Sequence, residues 1–268
     1  MRSLFFALVV CLAVIPAYAQ TNTFKLEGKI AQGGLVIGHT QPDAKVFLDN
    51  KEVPVSKTGT FLLGFPWNAG PAAQLVVRIG RKEDIQILAI QQRQFKVQRI
   101  DGLPKRKVTP NPADLKRIAR EGKEIDAAKR LRAEEPFFLS GFEQPAEGRV
   151  SGVYGSRRIL NGQPRRPHFG LDIAAPTGTQ IRALADGIVR FVHPGMFFNG
   201  KTVLIDHGMG LTSIYIHMNA TRVKAEQKVR KGDAIGAVGR TGRTTGPHLH
   251  LGVSLNGTPL DPGLLVGR

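Results

Sequence analysis

The sequence predicts a mainly β protein: a small N-terminal β-sandwich, a linking helix and a C-terminal antiparallel β domain. Three observations carry this. Short runs rich in Val, Ile, Leu and Phe recur between turn residues from about Thr23 to Ile100. One stretch, opening at Asn111, has the cap and charge pattern of a solvated helix. From Phe137 onward glycine is frequent and the apolar runs are again short. The 268 residues are enough to bury a core, and 41% hydrophobic residues is a globular rather than a disordered composition.

Residues 1–19 read as a secretory signal peptide. Arg2 supplies the positive start, Leu4 to Ile15 the apolar stretch, and Ala17-Tyr18-Ala19 the small-x-small cleavage site before Gln20. The apolar run is short for a bilayer and no stop-transfer charges follow it, so no transmembrane segment is expected after cleavage. The expected location is secreted, in a periplasm. Cys11 is the only cysteine and leaves with the leader, which excludes disulfides, cysteine nucleophiles and thiolate zinc sites. Loss of Arg2 lowers the net charge of +17 by one. A charge of this size favours an anionic partner; export argues against nucleic acid and for cell-wall polymers or lipid head groups.

The N-terminal β-sandwich is expected over residues 20–108. Its strands are Gly34–Gly38, Ala44–Leu48, Thr60–Phe65, Leu75–Ile79 and Ile85–Ile90, with hairpin turns at Asp49-Asn50 and Lys57-Thr58-Gly59. The run "PDAKVFLDNKEVPVSKTGTFLLGF" resembles bacterial immunoglobulin-like or prealbumin-like modules. No catalytic cluster is found there, so a spacer or wall-binding role is the default. Asp101–Thr109 is a basic, Pro-containing linker, and residues 109–136 form a helical linker. Asn111 is a good N-cap, Pro112 suits the first helical position and Asp114 favours the positive helix start. Leu115, Ile118, Ile125 and Leu131 form a narrow apolar stripe expected to pack on a flanking domain. The β domain over residues 137–268 has its clearest strands at Ile188–Val192, Thr202–Ile205, Leu211–Ile216, Ala234–Val238 and Leu249–Leu255.

Six of the seven histidines fall in this last region. In His168-Phe-Gly-Leu-Asp172, alternate side chains of an extended segment share a face, so His168, Gly170 and Asp172 line up. Gly170 leaves room for a metal close between the other two. In His248-Leu249-His250 the two imidazoles also share a face, with Leu249, Leu251 and Val253 turned to the core, and Gly246-Pro247 makes the turn before the strand. Catalytic zinc takes three protein ligands and leaves one position for water or substrate, and two His with one carboxylate fit that count. Such a site activates water and polarises a carbonyl. Either pair alone occurs in many proteins without a metal; together, in a cysteine-free exported domain among glycines, they point to one. Four groups are available for three positions, and spacing does not say which of His248 and His250 binds. His217, in Ile-Tyr-Ile-His-Met, adds an imidazole at a strand end. His207, in Asp-His-Gly, reads as structural, His193 before Pro194-Gly195 as a surface turn residue, and His39 lies far off in the N-terminal module.

The stretch from about Glu147 to Pro262 is similar to the lysostaphin/LytM-type zinc endopeptidases. It carries "HFGLD", "IDHG", "GDAIGAVGRTG", "TGPHLH" and a closing "NGTPLDP" in the family's order. The resemblance implies a C-terminal domain of the LytM/lysostaphin type with zinc held by His168, Asp172 and His250. It implies catalytic roles for His217 and His248, which would orient the water, stabilise the oxyanion or pass the proton to the leaving amine. Met218 and Leu251 depart from the family's usual Leu and aromatic residue without touching the set. Arg157 holds the family's Gly-x-Arg position, where a cation can bind substrate carboxylate or pack on the zinc-site loop; Tyr154 and Asn199 are candidate groove residues.

The function so implied is a secreted zinc metalloendopeptidase acting on peptidoglycan, at glycine cross-bridges or at stem peptides joined through D-alanine and diaminopimelate. The alternatives are a non-catalytic LytM-type regulator that activates wall amidases, and a wall-binding or metal-storage module. Degenerate regulators lack members of the set, and all five positions are filled here. The N-terminal module and the helix from Asn111 are expected to lie over the active-site groove and modulate access.

Overall fold

The computed structural model describes residues 23–267; the expected leader lies outside the described residues. Seven strands come first: β1 (Lys25–Gly28), β2 (Leu35–His39), β3 (Lys45–Leu48), β4 (Lys51–Val53), β5 (Thr60–Gly64), β6 (Ala72–Ile79) and β7 (Lys82–Ala89). They form two antiparallel sheets, ordered β1-β2-β5 and β4-β3-β6-β7. Asp49 and Asn50 both take positive φ, 47° and 63°, the twist that a tight β3–β4 hairpin requires. Val36, Val46, Phe61, Leu63, Leu75 and Val77 fill the space between the sheets.

β2 and β5 of the three-stranded sheet are buried on both faces, which explains why β5 reads Thr-Phe-Leu-Leu with no polar alternation. Phe61 and Leu63 point into the sandwich. Leu62 and its neighbour Leu35 point the other way and join the core of the C-terminal domain. Burying each leucine contributes about 1.5–3 kcal/mol, so the N-terminal module is fastened by an apolar seam. Arg93 reinforces it with an ion pair to buried Asp261 at 2.8 Å. Trp67 and Phe95 add an aromatic cluster with Tyr154 and Phe169 of the C-terminal domain.

Next come β8 (Val97–Ile100), a short helix α1 (Lys105–Val108) and the long helix α2 (Pro112–Arg130). Asn111 caps α2, its side chain accepting from the Asp114 amide at 2.8 Å. The apolar stripe does not dock this helix, contrary to expectation: Leu115 and Leu131 are about half exposed. Polar groups do it instead. Buried Glu121 accepts from the Phe197 amide at 2.8 Å and from Arg117, whose guanidinium also donates to the Gly195 carbonyl. Lys107 donates to the Phe197 carbonyl. A carboxylate on a backbone amide makes a stronger anchor than a thin apolar edge. β8 lies apart from the two N-terminal sheets and pairs in parallel with β10 of the next domain.

The C-terminal domain contains β9 (Arg149–Gly152), β10 (Arg157–Leu160), β11 (Gln163–Arg165), β12 (Leu171–Ala174), β13 (Gln180–Arg182), β14 (Gly187–Met196), β15 (Gly200–Asp206), β16 (Leu211–Met218), β17 (Ala220–Thr221), β18 (Lys228–Val229), β19 (Ala234–Ala237), β20 (His248–Leu255) and β21 (Thr258–Leu260), ending with a turn of helix α3 (Pro262–Leu265). Its main antiparallel sheet runs β18-β14-β15-β16-β20-β12-β9, with β21 against β20. Ile173, Val203, Ile205, Leu249, Leu251 and Val253 form the core under it. No helix among the described residues is long and apolar enough to cross a membrane.

Candidate metal centre

Strand register builds the centre. β12 and β20 are antiparallel neighbours in which Asp172 sits directly opposite His250. Directly opposed residues share a face, so both point away from the core while Ile173 and Leu249 are fully buried beneath. His168 arrives differently. It precedes β12 in an irregular segment rather than on the strand, so strand alternation is not what aligns it with Asp172. Backbone hydrogen bonds to the loop of residues 155–156 hold it, His168 N–H to Ser156 and Gly155 N–H to His168, both 2.8 Å. Gly170 matters for a reason other than room for a metal: a β-carbon there would meet the His250 ring and the Leu251 carbonyl at about 2.5 Å.

Three ligand atoms converge. His168 Nε2 lies 2.9 Å from His250 Nδ1 and 3.0 Å from Asp172 Oδ1, and His250 Nδ1 lies 2.7 Å from the same oxygen. His168 Nδ1 faces the Val153 carbonyl at 3.0 Å. A carbonyl only accepts, so Nδ1 carries the proton and Nε2 presents a lone pair to the cluster. Burial pushes the Asp172 carboxyl up, but its close contacts with the His168 and His250 imidazoles outweigh it and hold the group well below its ordinary range. Burial drives His250 down to about 4, against the pull of Asp172. Two imidazoles and one carboxylate thus aim at one point, the kind of ligand set that holds a divalent cation. Donors on zinc bonds of about 2.0–2.1 Å lie about 3.3 Å apart in a tetrahedron, so a spread of a few tenths of an ångström fits the set to that ion. Among the described residues this is the one His/Asp/Glu/Cys group with metal-ligand proximity.

Spacing left His248 and His250 equivalent; the register separates them. His248 Nε2 stays 4.0 Å from Asp172, and its Nδ1 faces the Gly246 carbonyl at 2.9 Å and the Thr244 hydroxyl at 3.1 Å. Its ring lies 4.7 Å from that of His217. His217 has φ of 65°, a left-handed conformation uncommon for a side-chain-bearing residue and costing of order 1–3 kcal/mol. Its amide donates to Asn199 at 2.7 Å and its Nδ1 to the Thr241 carbonyl at 2.8 Å, which hold the kink. Burial, aided by the nearby His248 and His250, lowers its pKa to about 3.

Some expected residues lie elsewhere. Tyr154 is buried with its hydroxyl on the Pro259 carbonyl at 2.9 Å, so it is not a groove residue. Arg157 is exposed. Its neighbour Arg158 reaches the centre instead, donating to Asp172 Oδ2 at 2.8 Å. Asn199 does line the cleft. His207 is fully buried between the Asp186 carbonyl and the Ser213 hydroxyl, both at 2.7 Å. His193 lies on β14 rather than in a turn, where its Nδ1 accepts from the Gly195 amide, and His39 lies on β2. The sequence reading missed Arg158, Arg243, Thr241 and Thr244. Strand alternation says only that one of two adjacent arginines turns inward; the other three sit in a loop where no period operates.

A cleft of about 530 Å³ opens beside His168, His217 and His250, and Val108, Pro110, Leu115 and Ile118 form its far wall. A smaller one of about 170 Å³ adjoins it, reaching Asp172 and His248; Arg158, Leu160, His217 and Arg243 line both.

Residues 166–262 match Peptidase family M23. The DD-carboxypeptidase/endopeptidase Mpg of Neisseria meningitidis serogroup B is 44% identical over 115 residues, which are 42% of this chain and 26% of that protein. The peptidoglycan DD-endopeptidase ShyA of Vibrio cholerae is 39% identical over 116 residues, again 42% and 26%. The matches to these curated relatives thus span about a quarter of their length. A solved Pseudomonas aeruginosa structure assigned to peptidase M23 aligns over 89% of this chain and 96% of that one, at 31% identity and a TM-score of 0.66, so this likeness reaches well beyond residues 166–262. The chain belongs to peptidase family M23.

Proposed function

We propose that this chain is an exported, zinc-dependent endopeptidase that hydrolyses peptide bonds in the stem peptides or cross-links of peptidoglycan. One observation carries the reading: His168, Asp172 and His250 converge beside two further imidazoles, His217 and His248, whose Nε2 atoms make no hydrogen bond among the described residues. Zinc held by the first three would supply Lewis acidity for water activation and carbonyl polarisation. His217 and His248 each donate Nδ1–H to a backbone carbonyl, so both turn an Nε2 lone pair outward. His217, held neutral by burial, accepts a hydrogen bond from the attacking water and orients it. His248 is only partly buried; it takes the water's proton at Nε2 and returns it to the leaving amine. Arg158 fixes Asp172 from its second oxygen. The names of the Neisseria and Vibrio relatives, DD-endopeptidases, support peptidoglycan as substrate. A non-catalytic regulator could dispense with members of this set, and none is missing.

Two further parts belong to this proposal. The leader over residues 1–19 directs the chain to a periplasm, where its net positive charge, +17 before Arg2 leaves with the leader, suits an anionic polymer. The domains are the N-terminal module of residues 20–108, whose sandwich is β1 to β7, the helical linker 109–136 and the endopeptidase domain 137–268, and the N-terminal part limits access to the cleft. Val108, Pro110, Leu115 and Ile118 on the cleft's far wall support this. The test is digestion of purified peptidoglycan by the full chain, with the fragments identified by mass. Cleavage should stop with a chelator and return with zinc; intact walls in the presence of stoichiometric zinc would refute the enzyme reading.

A further inference from the structure

Four arginines line the larger cleft, and no Asp or Glu among the described residues does. Arg158 alone of the four has a carboxylate partner, Asp172, and that leaves its Nε buried without an acceptor. Arg165 donates only to neutral oxygens. Arg166 and Arg243 have no side-chain hydrogen bond or ion pair among the described residues. Arg243 is nevertheless well fixed. Its amide bonds the Phe198 carbonyl at 2.8 Å and its guanidinium lies 4.2 Å over the Phe198 ring. Burial and the charges of Arg158, Arg165 and Arg166 push its pKa down to about 10.

A partly buried cation among like charges costs free energy unless an anion completes it. A concave site of one sign draws in the opposite charge, and the planar guanidinium fork matches a carboxylate. Arg158 and Arg243 line both clefts together with His217, so an anion between them sits next to the reacting groups.

We propose that Arg243, with Arg158 beside it and Arg166 at the rim, holds a carboxylate of the peptide substrate close to the bond that is cut. This rests on the peptidase reading of the same site and narrows it. A neutral glycine bridge offers no carboxylate there, whereas a stem peptide joined through a diamino dicarboxylic acid does.

Two stem peptides that differ only in that carboxylate or a carboxamide, each with a non-hydrolysable surrogate of the scissile bond, are titrated calorimetrically into the zinc-loaded full chain. The carboxylate peptide should bind about tenfold more tightly, about 1.4 kcal/mol. In Arg243→Gln the preference should collapse, and Arg243→Lys should recover part of it. Should Arg243→Gln fail to fold by thermal melting, Arg166→Gln at the exposed rim should still reduce the preference. Equal binding of both peptides, no binding of either, or a preference untouched by these variants would overturn the subsite. The hydrolysable pair, run in parallel, keeps the two readings apart. Cleavage without carboxylate preference sinks the subsite and leaves the peptidase; preference without cleavage does the reverse.

Discussion

The floor and the far wall of the cleft are built by different physics. The floor is set by sheet register: Asp172 faces His250 across β12 and β20, with Ile173 and Leu249 fully buried behind them. Shifting those side chains means breaking a ladder and a core together. The wall is α1 and α2, held to residues 195–197 at the end of β14 by Glu121, Arg117 and Lys107, with Leu115 half exposed. Undocking α2 means losing a few hydrogen bonds to that one segment, while α1 stays packed through Val108 on Leu103 and Leu160. The floor is the more firmly fixed of the two, and α2 is the part of the wall held by a few polar contacts.

The comparison is sharpened most by changes to the floor that spare the metal ligands. His217→Ala and His248→Ala should each lower peptidoglycan cleavage by about 10²–10⁴-fold, the usual range for a lost proton-transfer group, with zinc content unchanged. Loss of zinc in either would move that residue into the metal set. Next, Gly170→Ala forces a β-carbon onto the His250 ring and the Leu251 carbonyl. It should lower stability by about 1–3 kcal/mol, read by urea unfolding, and weaken zinc binding. An unchanged midpoint would mean the floor yields more readily than its register implies. Glu121→Ala acts on the wall. It removes the acceptor of the Phe197 amide, and should expose α2 to proteolysis and speed cleavage of a bulky wall substrate more than that of a short peptide. Equal effects on both would mean the wall does not restrict access.

The smallest effect is in pH. Burial holds His207 below its ordinary pKa, so the folded form keeps it neutral. The unfolded chain takes up a proton at about 6.5. Stability from this group is full above that value and falls as pH drops towards the folded pKa. Thermal melting should therefore shift down between pH 7.5 and 5, less steeply in His207→Gln.

Legibility in the sequence follows the same division. The His248–His250 pair and its buried partners Leu249, Leu251 and Val253 are written in a two-residue period, and the Asn111 cap in local chemistry. Which imidazole of the pair meets Asp172 depends on the register of β20 against β12, a tertiary fact that no local pattern carries. The inward turn of Arg158 rather than Arg157 is of the same kind. The apolar stripe of α2 misled because its contact is made by Glu121, a residue that reads as solvent-facing until a backbone amide is placed against it. The parallel pairing of β8 with β10 joins residues far apart in the chain, and its short strand has no alternation to announce it.

The central claim is that His168, Asp172 and His250 hold the metal on which cleavage depends. The most direct measurement is zinc content and peptidoglycan cleavage on the same preparations of the full chain and of His250→Ala. One zinc per chain with cleavage in the first, and neither in the second while it remains folded, is the expected result. Zinc retained by folded His250→Ala, or cleavage without it, would contradict the account.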